Sequence, residues 1–132
     1  MVTIILVSHS KKITDGLKEM IEEMTGKYEH IHIISAGGTD DGRLGTNPIF
    51  ITEQIEAHKN VDSIFLFADI GSAVMSIESA LELIEDDELR AKCFYIDGPL
   101  VEGAFVGSVQ CMVNPSPELV IREVTKLKSD RE

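Results

Sequence analysis

Two residues of this chain have the type and the setting for chemistry, the histidine His9 and the aspartate Asp69. Each follows a short, strongly apolar run: Val2-Thr3-Ile4-Ile5-Leu6-Val7 and then Ser8 for the histidine, Ile64-Phe65-Leu66-Phe67-Ala68 for the aspartate. Imidazole titrates near neutrality, so much of it is free at pH 7 to act as a nucleophile. A carboxylate that accepts a hydrogen bond from Nδ1–H orients the ring and leaves Nε2 as the reactive nitrogen, as in base-orienting triads. Ser8 and Ser10 place hydroxyls on either side of the histidine. The plainer alternatives are that His9 caps the core and that Asp69 caps the helix beginning near Gly71.

Small residues gather in the turns that would share this rim: Gly37-Gly38, Gly45-Thr46 and Gly71-Ser72. Glycine lets a ligand approach the backbone closely, and free N–H groups at a helix start favour an anion. No G-x-G-x-x-G follows the first apolar run and no Walker A motif is present, which argues against nucleotide binding by this chain. His30 and His32 alternate along one strand face without an evident third ligand, and His58 stands alone, so neither a metal nor a cofactor is expected.

The elements that must position these residues follow from hydrophobic periodicity. The near-continuous run at 2–7 reads as a strand buried on both faces, and 31–35, 61–68 and 93–96 read as the second, third and fourth strands. Between the first two, Ile13, Leu17, Met20, Ile21 and Met24 recur at helical spacing, with Gly26 to close the helix. Pro48 suits the first turn of the next helix. Ala73, Val74, Ile77, Ala80, Leu81 and Ile84 line one face of another, and the acidic stretch 82–88 reads as its solvated end. From Pro99 to Met112 a further helix is expected, with Leu100, Val101, Ala104, Phe105, Val109 and Met112 inward. In it, Gly103 and Gly107 would allow close helix or subunit packing. A last amphipathic helix ends in a charged tail. Strands separated by helices imply right-handed crossovers and an α/β fold, a doubly wound, mainly parallel four-stranded sheet with helices on both faces. If the strand order begins 2-1-3, strands 1 and 3 flank the switch point where ligands bind outside the carboxyl ends of such sheets. His9 and Asp69 are the residues found there.

The 132 residues suit a single domain, 1–132, and 43% of them are hydrophobic, enough for a real core. A formal net charge of -11 argues against nucleic acid and against anionic membrane surfaces as partners. Cys93 and Cys111 lie in apolar sequence and read as buried hydrophobes in a reducing compartment. With no basic n-region at the start and no apolar run of spanning length, a soluble, cytoplasmic protein is expected.

Val7-Ser8-His9-Ser10, Ala36-Gly37-Gly38, Gly45-Thr46, Asp69-Ile70-Gly71-Ser72-Ala73, Ala80-Leu81-Glu82-Leu83 and Pro99-Leu100-Val101-Glu102-Gly103 occur in an order that covers nearly the whole chain. In these blocks the sequence resembles the phosphoryl-donor (M) subunits of phosphoenolpyruvate-dependent dihydroxyacetone kinase, relatives of the enzyme IIA domains of mannose-type sugar phosphotransferase systems. The resemblance implies a phosphotransferase and a homodimer. His9 would take phosphate from the phosphocarrier HPr, supplied in trans, and pass it to ADP held on a separate L subunit. The ATP so formed would phosphorylate dihydroxyacetone on a third subunit. By position, His9 is then the carrier and Asp69 its orienting partner; from the turns around them, Ser10, Gly38, Thr46, Gly71 and Ser72 are expected to bind the phosphate. Leu44, Ile70, Met75 and Leu100 are expected to form the docking rim. The alternatives are an enzyme IIA component serving a sugar system, for which the stretch after Asp69 is the discriminating feature, and a flavodoxin-like regulatory domain that is never phosphorylated.

Overall fold

The computed structural model describes residues 1–131, with the backbone alone from 129 onward. The element order is β1 (Val2–Val7), α1 (Lys11–Thr25), β2 (Ile31–Ser35), α2 (Pro48–Ala57), β3 (Ser63–Ala68), α3 (Gly71–Leu83), α4 (Asp87–Ala91), β4 (Cys93–Tyr95), α5 (Leu100–Val113) and α6 (Pro117–Arg131). The last residue of the charged tail, Glu132, lies outside the described residues. All strand pairs are parallel, and the sheet runs β2-β1-β3-β4. The expected α/β architecture and the 2-1-3 start are both observed.

Every residue of β1 and of β3 is buried, which explains why neither run alternates with polar residues. Side-chain parity divides each strand between two cores. Ile4, Leu6, Phe65 and Phe67 pack with Leu17 of α1, Ala104 of α5 and Val124 of α6. Ile5, Val7, Ile64 and Leu66 pack with Ile51 and Ile55 of α2 and Ile77 of α3 on the other face. Helices therefore cover both sides, and the polar ends of the central strands are left as the natural place for a site.

Local signals act as the residue types require. Pro48 stands at the start of α2 behind an Asn47 cap whose side chain accepts from the Ile49 N–H at 3.0 Å. Gly26 ends α1 at φ 86°. Gly107 faces the core: a Cβ there would lie 2.9 Å from Phe67 Cζ, so α5 sits tight on β3 only because the side chain is missing. The close packing expected of Gly103 and Gly107 is thus helix on sheet and helix on α6, through Phe67 and Val124. Burial lifts the thiols of Cys93 and Cys111 to about 11 and about 12, so both stay protonated at neutral pH; Cys111 is in the core as expected, whereas Cys93 is only half-buried at its edge.

Three expectations need correction. The acidic stretch is not one helix end: α3 stops at Leu83, and Asp86 caps a separate short helix by accepting from the Glu88 and Leu89 N–H groups. The inward face of α1 is narrower than its apolar spacing, since Thr14, Leu17 and Ile21 are buried while Ile13, Met20 and Met24 are exposed. On α5, Val101 and Val109 likewise face outward. Apolar periodicity marks where a side chain can be buried, and a helix with one neighbouring sheet covers only part of that arc.

Candidate active site at the switch between β1 and β3

β1 and β3 pair in register with Val7 beside Ala68, so the next residues, Ser8 and Asp69, leave the sheet side by side. α1 carries the chain to β2 on one side of β1, and α2 returns it to β3 on the other. The crevice between the two departing turns is the switch point. His9 and Asp69, 60 residues apart, meet there with His9 Nδ1 3.0 Å from Asp69 Oδ1.

The aspartate is held by four donors. Oδ2 accepts from the Ser8 hydroxyl at 2.9 Å and the His9 N–H at 3.1 Å. Oδ1 accepts from the Ile70 N–H at 2.7 Å and faces the ring nitrogen of His9. Burial on its own raises the Asp69 carboxyl. The hydrogen bonds from the His9 and Ile70 backbone, the Ser8 hydroxyl and the His9 ring outweigh it and hold the group below its ordinary value. An ionised carboxylate has no proton to give, so Nδ1 is the donor in this pair, and in the neutral ring Nε2 carries the lone pair. The helix-capping alternative for Asp69 does not apply. The N-cap of α3 is Ile70, no side chain caps that end, and the aspartate reaches back to the strand turn instead.

Nε2 points to the Ser72 hydroxyl, which hydrogen-bonds it. Gly71 and Ser72 open α3, and the first N–H groups of a helix have no acceptor within it. A Cβ at Gly71 would meet nothing within 4 Å, so the space above this turn is open. A nucleophilic nitrogen, a rotatable hydroxyl and a helix start thus converge where an anion could sit. The side chains of His9 and Asp69 are 27% and 21% exposed, enough to present an edge to a partner while their inner atoms stay fixed.

The loop after β2 holds this turn. The Gly38 N–H donates to Ser8 O at 2.9 Å and the Gly45 N–H to His9 O at 2.8 Å. Gly38 adopts φ 72°, a left-handed conformation, with its Cβ position 3.0 Å from Arg43 O. At Gly37 a Cβ would clash with Thr14 Oγ1 and Ser10 O, so the loop passes there only as glycine. The Thr46 hydroxyl pairs with that of Ser76 on α3 at 2.5 Å. The Gly38 N–H, expected to meet a phosphate, is therefore engaged within the protein and supports the turn, while the Thr46 hydroxyl is tied to α3 through Ser76. Ser10 precedes α1 with its N–H on the Ser8 hydroxyl at 3.1 Å, and its own side chain makes no capping bond.

Leu44, Ile70 and Met75 are 79%, 61% and 69% exposed around this edge. Leu100 is not: it is buried in the core with Phe67 and Ala104, so it leaves the expected rim. Ile49, in the first turn of α2 two residues beyond Asn47, is also exposed, at 64%. Ser8, expected only to flank the histidine, is wholly buried and bonded to the aspartate. No group of three His, Cys, Asp or Glu among the described residues stands close enough to hold a metal. His32 lies beside His58 instead, with ring centres 6.1 Å apart. No described helix is long and apolar enough to cross a membrane.

Comparisons with known proteins identify a family for the chain. The family described as PTS system fructose IIA component (EIIA-man) matches residues 3–121. The phosphoryl donor subunit DhaM of PEP-dependent dihydroxyacetone kinase 2 from Listeria innocua is 55% identical over 96% of this chain and 99% of its own length. A DhaM from Providencia stuartii is 38% identical over 93% of the chain, which spans only 26% of that longer protein. Among solved structures, a protein of unknown function, EF1359, superposes with a TM-score of 0.83 at 42% identity, covering 93% of this chain and 92% of that one. The EIIA phosphotransferase component of Streptococcus agalactiae, at 14% identity and a TM-score of 0.69 over 100% of this chain and 95% of its own, shares the fold.

Proposed function

The chain belongs to the EIIA-man family and to its phosphoryl donor subunits of PEP-dependent dihydroxyacetone kinase, and from that premise we propose that His9 carries a phosphoryl group between two proteins. The observation that supports this most directly is the Asp69–His9–Ser72 arrangement, with Nδ1 held on a carboxylate and Nε2 turned to an open helix start.

In the loading step the donor is the phosphohistidine of HPr. The Nε2 lone pair forms a P–N bond while the P–N bond of the donor breaks and its electron pair returns to the donor ring. His9 keeps its Nδ1 proton, so the loaded ring is a cation, and the Asp69 carboxylate 3.0 Å away balances that charge. Ser72 turns its hydroxyl from Nε2 to a phosphoryl oxygen, joined by the N–H groups of Gly71 and Ser72. In the unloading step a terminal phosphate oxygen of ADP on the L subunit attacks phosphorus, and the P–Nε2 pair returns to His9 as neutral imidazole. No covalent help is required beyond alignment and charge balance. Ser10 and Gly38 serve by holding the turn, and Thr46 by its tie to α3. The chain acts as one enzyme IIA-like domain of a cytoplasmic relay whose final product is phosphorylated dihydroxyacetone. A homodimer fits the outward apolar residues of α1 and α5, Met20, Met24, Val101 and Val109, which a second copy would shield from water.

The test is reconstitution with labelled phosphoenolpyruvate, enzyme I, HPr and this chain. Label is expected to reach the chain and to discharge to ADP only when the L subunit is added. Discharge to a sugar-system IIB domain, with none to ADP, would instead favour the enzyme IIA reading for a sugar.

Both partners must reach the same nitrogen, so the exposed Leu44, Ile49, Ile70 and Met75 are placed to contact each of them. Replacing Leu44 and Met75 together by Asp is expected to slow loading from phospho-HPr about tenfold or more through weaker docking. The unfolding midpoint should stay unchanged, since these side chains are exposed. Loading rates measured against HPr concentration decide the matter, and unaltered rates would remove this rim from the docking surface.

A further inference from the structure

We propose that Ser8 is a positioning residue for phosphoryl transfer, acting through Asp69; the inference rests on the reading of His9 as the carrier. Ser8 is 0% exposed, and its hydroxyl is bonded on both sides. It accepts the Ser10 N–H at 3.1 Å, which directs its single proton to Asp69 Oδ2 at 2.9 Å. The same oxygen takes the His9 N–H at 3.1 Å. A carboxylate gripped on Oδ2 by two fixed donors cannot turn about its Cβ–Cγ bond, so Oδ1 stays on Nδ1–H.

The strand register makes this arrangement possible. Because Val7 lies beside Ala68, Ser8 is the residue of the histidine turn that stands next to Asp69, one position before the histidine it serves. A hydroxyl at that position also helps keep the half-buried carboxyl ionised. Without it the Ser10 N–H and one face of Oδ2 lose their partner at a position that is itself wholly buried. The carboxylate then holds Nδ1–H less firmly, the ring spends more time with its proton on Nε2, and the nucleophilic lone pair is blocked during that time.

The test uses Ser8→Ala and Ser8→Cys in the full chain. Cysteine nearly preserves the volume and donates weakly, so it tests the hydrogen bond even if the alanine variant folds poorly. Nitrogen NMR of the His9 ring is expected to show the Nδ1–H tautomer in the unaltered chain and a shift towards Nε2–H in both variants. Loading from phospho-HPr should fall about tenfold, as for loss of a hydrogen bond to a charged group. On an Asp69→Ala background the same Ser8 changes should alter loading by less than about twofold, because the group they act through is gone. An unmoved tautomer, or an equal proportional loss with and without Asp69, overturns the proposal. If the unaltered chain takes up no label, the carrier reading fails and this inference with it. Normal uptake with an unmoved tautomer defeats the inference alone.

Discussion

His9→Ala is expected to reduce phosphoryl uptake from phosphoenolpyruvate, enzyme I and HPr to background while leaving a folded protein. Its side chain lies at the carboxyl edge of the sheet and contributes nothing to either core cluster. Asp69 loses one of four hydrogen-bond donors and keeps the Ser8 hydroxyl and the His9 and Ile70 N–H groups. The stability change should therefore be small, within about 1 kcal/mol. The three other histidines offer no substitute. His58 has Nδ1 on Gln54 O at 2.8 Å, His32 lies against His58, and His30 lies against Tyr28. None of them faces the crevice between β1 and β3. Labelling followed by mass spectrometry of the phosphopeptide checks the site, and label surviving in His9→Ala would end the assignment.

The main lines of this site were legible because parallel sheets concentrate information at strand ends. Two runs buried on both faces, each followed at once by polar residues, are enough to bring Ser8-His9 and Asp69 together once the order 2-1-3 is assumed. Ser8 was legible as a neighbour but not as a partner of the aspartate, since that depends on the Val7–Ala68 register, which no local pattern encodes. Gly38 shows the converse. A glycine in a turn near a helix start reads as a phosphate donor, yet its N–H is engaged by Ser8 O because the loop must be held to the strand turn. Leu100 and Ile49 differ in burial for a related reason. Both open a helix next to a proline, and only tertiary packing decides that Leu100 fills the core while Ile49 faces out. The exposed Met20, Met24, Val101 and Val109 follow the same rule: apolar type is local, whereas burial belongs to the assembled layers.

Asp69→Asn should separate the charge of the aspartate from its shape. The amide keeps the volume and can offer its oxygen to Nδ1–H, but its NH2 then faces the His9 N–H and the Ser8 hydroxyl, donor against donor. Turning the amide over removes that conflict and sets NH2 against Nδ1–H instead, favouring the tautomer in which Nε2 carries the proton. Either way the cationic, loaded ring loses its counter-charge. Loading and unloading should both fall by about a thousandfold to ten-thousandfold, the upper figure being the loss seen when the orienting carboxylate of a catalytic histidine is neutralised. The pH dependence has a definite sign. The carboxyl of Asp69 is held below 3.8, so it is ionised across the neutral range and its titration sets no limit on transfer there. Because the folded value is depressed, the carboxylate stabilises the fold fully above the unfolded value, and that contribution is lost as pH falls through the folded one. Urea unfolding should accordingly show the wild-type chain more stable than Asp69→Asn at pH 7, with the gap closing only below pH 3.8. Transfer near neutrality should be lost in the variant with no rescue by raising the pH, since the missing charge is not one that titration can restore. An Asp69→Asn chain that loads at the wild-type rate would show that Nδ1 needs only an acceptor and no anion.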